Sequence, residues 1–159
     1  MKSSFSLRSG FASLLGVLSA LSIALPAHAE IAQISNAELQ KLTAKGVAVV
    51  DVRTAGEWRQ TGVVAGSQLI TLFDETGQAD PAAWLRVLDS KVPAGQPVVL
   101  ICRTGNRSGK AAQLLEQRDP RRKIYNVRES ITGWVAGGEP VVSLDRNLAG
   151  TGISCSPRC

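Results

Sequence analysis

The residues most capable of chemistry lie in one run, Cys102, Arg103, Thr104, Gly105, Asn106, Arg107 and Ser108. A thiol becomes a nucleophile only as its thiolate, so the neighbours that favour negative charge decide whether it reacts. Two arginines stand within five residues of Cys102, and Gly105 permits the backbone of a tight loop. The run follows the apolar stretch Val98 to Ile101 and precedes a helical pattern, so its N–H groups are expected to converge at a helix N-terminus. Each of these features lowers a thiol pKa. The ordinary alternative, a small buried cysteine at a strand end, does not call for two arginines and a glycine beside it.

The rest of the chain limits which chemistry remains. Its 159 residues suit one globular domain, and 44% hydrophobic with 19% charged residues describes a folding chain. Lys2 and Arg8, an uncharged apolar stretch from Phe11 to Leu25, and Ala27-His28-Ala29 read as a secretory signal peptide over 1–29. Its removal takes the net charge from +5 to +3 and removes His28, the one histidine. Cys-His and Ser-His catalysis and histidine metal sites are then excluded. The expected location is the periplasm, or outside the cell, with no membrane contact after cleavage. The weak, scattered positive charge suits a small anionic substrate and does not indicate nucleic acid.

The elements that must position the loop follow from patterning. Ser35 and Glu38 form a capping box before a short helix with Leu39 and Leu42. Val47 to Val52 is an unbroken apolar run typical of a buried parallel strand. A short helix over 54–60, a turn over 62–66 and a strand over 67–71 come next. Asp80-Pro81 opens a helix carrying Trp84, Leu85 and Leu88. A strand over 97–101 enters Cys102, and a helix over 107–118 turns Ala111, Leu114 and Leu115 inward. A strand over 124–127 and a short helix over 131–135 close the pattern. This alternation predicts an α/β fold with a mainly parallel central sheet and helices on both faces. The domain is expected over 30–143. From Leu144 the pattern dissolves into a tail over 144–159 that carries Cys155 and Cys159.

Several segments resemble the rhodanese-like domain family. The loop Cys102 to Ser108 looks like that family's active-site loop. Asp51-Val52-Arg53 with Glu57-Trp58 resembles its upstream strand-then-helix motif. Gly62 to Ser67 resembles its Gly-His-Ile-x-Gly-Ala segment, and Tyr125 to Val141 its closing segment. Two departures stand out. Val63 replaces the usual histidine, and Glu129-Ser130 replaces a common Gly-Gly pair.

The resemblance implies a sulfurtransferase without cofactor or metal. Cys102 would take the sulfane sulfur of thiosulfate or a related donor as a persulfide and pass it to cyanide, a thiol or a protein acceptor. Arg103 to Ser108 would bind the substrate, with Arg103 and Arg107 attracting the dianion. Asp51, Arg53 and Glu57 are expected to support the loop, although Arg53 and Glu57 also suit a surface i,i+4 ion pair. Trp58, Trp84 and Trp134 are expected in the core, and Arg121-Arg122-Lys123 in a solvated turn. Cys155 and Cys159 suit a small terminal disulfide. A cysteine phosphatase is disfavoured because four residues, not five, separate Cys102 from Arg107. Two further functions stay open at this stage: a dithiol redox protein pairing Cys102 with Cys155 or Cys159, and a non-catalytic rhodanese-like binding module.

Overall fold

In the computed structural model, residues 30–150 are described. The signal-peptide segment and Cys155 and Cys159 lie outside them. Five strands form one sheet in the order β1-β5-β4-β2-β3, and every pairing is parallel. The strands are β1 Ile31–Ile34, β2 Ala48–Asp51, β3 Gln68–Leu69, β4 Val98–Ile101 and β5 Ile124–Val127. The helices are α1 Asn36–Ala44, α2 Ala55–Thr61, α3 Pro81–Lys91, α4 Asn106–Arg118, α5 Ser130–Ala136 and α6 Leu144–Gly150.

The central strands are apolar at every position because both sheet faces are covered. On β4, Val98 and Leu100 pack with Trp84 and Leu88 of α3 and Ala111, Ala112 and Leu115 of α4. Val99 and Ile101 point the other way and meet Leu39 of α1 and Ile131 and Trp134 of α5. The period of two along the strand thus divides the core into two layers. Three helix starts are capped by side chains. Ser35–Glu38 and Thr54–Glu57 form capping boxes, and Asp80 accepts the Ala83 N–H ahead of Pro81. The start of α4 is made differently and belongs to the site.

Four expectations need correction or extension. β1 was not anticipated; it pairs in register with β5, Ile31 to Ile124 through Ile34 to Val127. The segment after Leu144 begins with α6, docked through Asn147, whose Oδ1 accepts the Gly66 N–H (2.8 Å) and whose Nδ2 donates to the Ser67 carbonyl (2.9 Å). Arg122 is not in a solvated turn. Its side chain is fully buried, donating to Asp119 (3.1 Å) and to the Pro93 carbonyl (2.8 Å). The third strand shortens to Gln68–Leu69. Trp58, Trp84 and Trp134 are buried as expected.

Candidate active site

Segments leaving β2, β4 and β5 meet at the carboxyl edge of the sheet, where open parallel sheets place ligands. Cys102 directly follows β4 and is 1% exposed. Behind it the chain turns through Gly105, whose left-handed backbone (φ 89°) is the N-cap of α4. A side chain there would press a Cβ to 2.5 Å from the Arg128 carbonyl oxygen, so glycine is required by space as well as by φ.

No side chain at the N-cap position satisfies the first N–H groups of α4. Cys102 Sγ does so instead. It accepts the Gly105 N–H at 3.1 Å and the Ser108 hydroxyl at 3.4 Å. Burial of the sulfur pushes the thiol pKa up. The Ser108 hydroxyl and the N–H groups of Ser108, Thr104 and Gly105 outweigh that and leave it below its ordinary value. The first turn of α4 carries no acidic residue to oppose the anion. The thiolate is therefore held by short-range neutral donors, where the sequence pointed equally to the two arginines.

The loop is gripped from the β5 side by residues to which the sequence assigned no contact with it. Ser130, fully buried with φ 49°, accepts the Cys102 N–H at 3.2 Å and donates to the Val127 carbonyl at 2.8 Å. The N–H groups of Ile131 and Thr132 donate to the carbonyls of Cys102 and Arg103, both at 3.1 Å. Asn126 Nδ2 reaches the Gly105 carbonyl at 3.3 Å. The signal for Ser130 was its departure from the Gly-Gly pattern. Its positive φ explains why glycine is common there, and its hydroxyl adds a contact that glycine lacks.

The supporting residues are wired differently from a local pairing. Asp51 and Arg53 form a fully buried pair, with Nη2 2.7 Å from Oδ2 and Nε 2.9 Å from Oδ1. Arg53 also donates to Thr61 Oγ1 (2.6 Å) and to the Gly62 carbonyl (2.9 Å), tying β2 to the far end of α2. The surface Arg53–Glu57 pair is thereby replaced. Glu57 instead receives a two-pronged contact from Arg107, at 2.6 and 2.7 Å, which joins α2 to α4 beside the loop. That contact holds the Glu57 carboxyl below its usual range and the Arg107 guanidinium above its own. Arg107 is thus committed to Glu57, whereas Arg103, Thr104 and Asn106 are exposed.

These residues form one wall of an open cleft of about 420 Å³, with Thr54 and Glu57 on its α2 side and Asp74 and Glu75 on its rim. Among the described residues no cluster of His, Cys, Asp and Glu could hold a metal ion, and no helix is long and apolar enough to cross a membrane.

Comparison with known proteins agrees with this geometry. Residues 35–137 match the family described as Rhodanese-like domain. The chain belongs to the rhodanese-like domain family. A sulfurtransferase of Allochromatium vinosum is 31% identical over 97 residues, covering 61% of this chain and 79% of that protein. A rhodanese-related protein of Thermoplasma volcanium superposes with a TM-score of 0.54 at 28% identity, over 70% of this chain and 97% of the other. A rhodanese-like domain protein of Staphylococcus aureus shares the fold, with a TM-score of 0.54 at 23% identity, over 71% of this chain and all of the other. Together the domain match and the sulfurtransferase relative support a sulfurtransferase-type family.

Proposed function

We propose that the protein is a sulfurtransferase that carries a sulfane sulfur on Cys102. The observation that supports this best is the capping of α4 by Cys102 Sγ. Donors that hold a thiolate also suit the terminal sulfur of a persulfide, which carries the same charge one atom further out. The thiolate attacks the outer sulfur of a donor such as thiosulfate. A bond forms between Cys102 Sγ and that sulfur, the donor S–S bond breaks, and sulfite leaves with the electron pair. An acceptor, cyanide or a thiol, then attacks the outer sulfur and the Cys102 thiolate is regenerated. No general base is needed when the thiol is already ionised, which fits a chain whose only histidine is His28.

The near-complete burial of Cys102 favours a donor that presents one projecting atom. The loop, with four residues between Cys102 and Arg107, suits a single sulfur better than a phosphoryl group. The basic and apolar N-terminal pattern supports action in the periplasm or outside the cell. Thiocyanate formation from thiosulfate and cyanide tests the reading. Turnover by the wild type and none by Cys102→Ser is expected; equal turnover by both would place the chemistry elsewhere.

A further inference from the structure

The charges around the cleft favour a donor that carries a cationic group over an inorganic dianion. Of the five charged residues that line it, Glu57 and Arg107 neutralise each other through their two-pronged contact. Arg103, Asp74 and Glu75 remain, and none of these three is in an ion pair among the described residues. One cation therefore faces two carboxylates. Lys110 of α4 lies near the rim with its Nζ 5.5 Å from the Phe73 ring centre, but it does not line the cleft.

The carboxylates are presented by an ordered turn. Asp74 Oδ1 accepts the Thr76 N–H (2.9 Å), the Thr76 hydroxyl (2.8 Å) and the Gln78 N–H (2.8 Å). The Asp74 N–H donates to the Gln78 carbonyl at 2.8 Å, and Phe73 bridges to Ala79. Glu75 projects from this turn over Gly56 of α2, where a Cβ would lie 3.1 Å from its Oε1. Arg103 also lines the cleft, and its carbonyl is fixed by Thr132 through both its N–H (3.1 Å) and its hydroxyl (2.8 Å).

We propose that the sulfur donor is a zwitterionic persulfide, that of an α-amino acid or short peptide, with Glu75 and Asp74 facing its ammonium and Arg103 its carboxylate. The inference rests on the sulfurtransferase reading and names the donor class for that site. A cleft of about 420 Å³ has room for a molecule of that size. The step balances without an oxidant. The Cys102 thiolate attacks the outer sulfur of R–S–S–H, and the new S–S bond replaces the old one. The electron pair leaves on the inner sulfur as R–S⁻, and the proton stays on the transferred sulfur.

The test compares cysteine persulfide with 3-mercaptopropionate persulfide, which lacks the ammonium and has the poorer leaving thiolate, so each rate is divided by that donor's rate with a simple thiol in solution. Initial rates of sulfur gain on Cys102 are followed by intact mass for wild type, Glu75→Gln and Glu75→Lys. Exposed charge pairs are worth a few-fold each, so the wild type is expected to prefer the cysteine donor about three- to tenfold. Glu75→Gln should narrow that preference, and Glu75→Lys should abolish it and speed charging by thiosulfate. Equal wild-type rates for the two persulfides after that division, or a preference unchanged in both variants, overturns the donor assignment while leaving sulfur transfer intact. Failure of every donor to charge a free Cys102 overturns the sulfurtransferase reading itself.

Discussion

Replacing Ser108 by alanine isolates the contact on which the Cys102 thiolate most depends. The Ser108 hydroxyl donates to Cys102 Sγ at 3.4 Å inside a site that is closed to solvent at both residues. A hydrogen bond to a charged group contributes about 1.5–3 kcal/mol. This hydroxyl also contacts the Gly105 carbonyl at 3.2 Å, so the lower end of that range applies. At about 1.4 kcal/mol per tenfold change in the proton equilibrium, the Cys102 pKa should rise by about one. The N–H donors remain in place, so the thiol should still titrate below one held by burial alone. The assay is the pH dependence of alkylation by iodoacetamide, with thiolate absorbance as a second reading. The Arg103→Ala variant is the control and should shift the profile much less, because its side chain is exposed and screened. Coincident profiles for Ser108→Ala and wild type, with a large rise in Arg103→Ala, would refute the reasoning. The arginine charge, rather than the α4 cap, would then be holding the thiolate.

Other consequences follow from the same geometry. The folded state lowers the Cys102 pKa, so the folded chain releases its proton at lower pH than the unfolded one. The resulting stability is fully present above the unfolded thiol pKa and is lost as pH falls through the folded value. Urea unfolding of wild type and Cys102→Ser across that window should show the pH slope in the wild type only. Asp51→Ala leaves the Arg53 guanidinium buried without its partner and should cost about 3–5 kcal/mol in the same unfolding assay. An effect below about 1 kcal/mol would mean that water or the Thr61 and Gly62 contacts already satisfy Arg53. Gly105→Ala adds a methyl group against the Arg128 carbonyl in left-handed backbone. It should lower stability by about 2–4 kcal/mol and raise the Cys102 pKa, read by thermal unfolding and by alkylation.

The strands and the loop were legible because their signals are local. Val98 to Ile101 is apolar throughout and leads directly into Cys102, and Gly105 announces a turn that only glycine fits. The partners of the charged residues were not legible, because sequence spacing favours the nearest opposite charge. Arg53 and Glu57 are four apart, yet Arg53 precedes α2 and folds back onto Asp51, while Glu57 pairs with Arg107 fifty positions away. Arg122 reads as one of three surface cations, and only the fold shows the Val92–Pro93 carbonyls that receive it. α6 was missed because its one buried residue, Asn147, docks through hydrogen bonds and leaves no apolar periodicity. β1 is four residues long at the sheet edge and partly buried, too short to set an alternation. Ser130 was noticed only as an irregularity, since nothing in the chain near it says that its hydroxyl meets the Cys102 N–H from 28 residues away.

The central claim is that Cys102 carries the sulfur, and the intact mass of the purified protein after exposure to excess donor tests it most directly. Thiosulfate and cysteine persulfide would be used in parallel, beside the Cys102→Ser variant, with a cyanide chase. The account predicts a gain of one sulfur atom in the wild type with at least one donor, its loss on cyanide treatment, and no gain in Cys102→Ser. A wild type that gains nothing while Cys102 remains a free thiol, or a Cys102→Ser variant that gains the same mass, would contradict it.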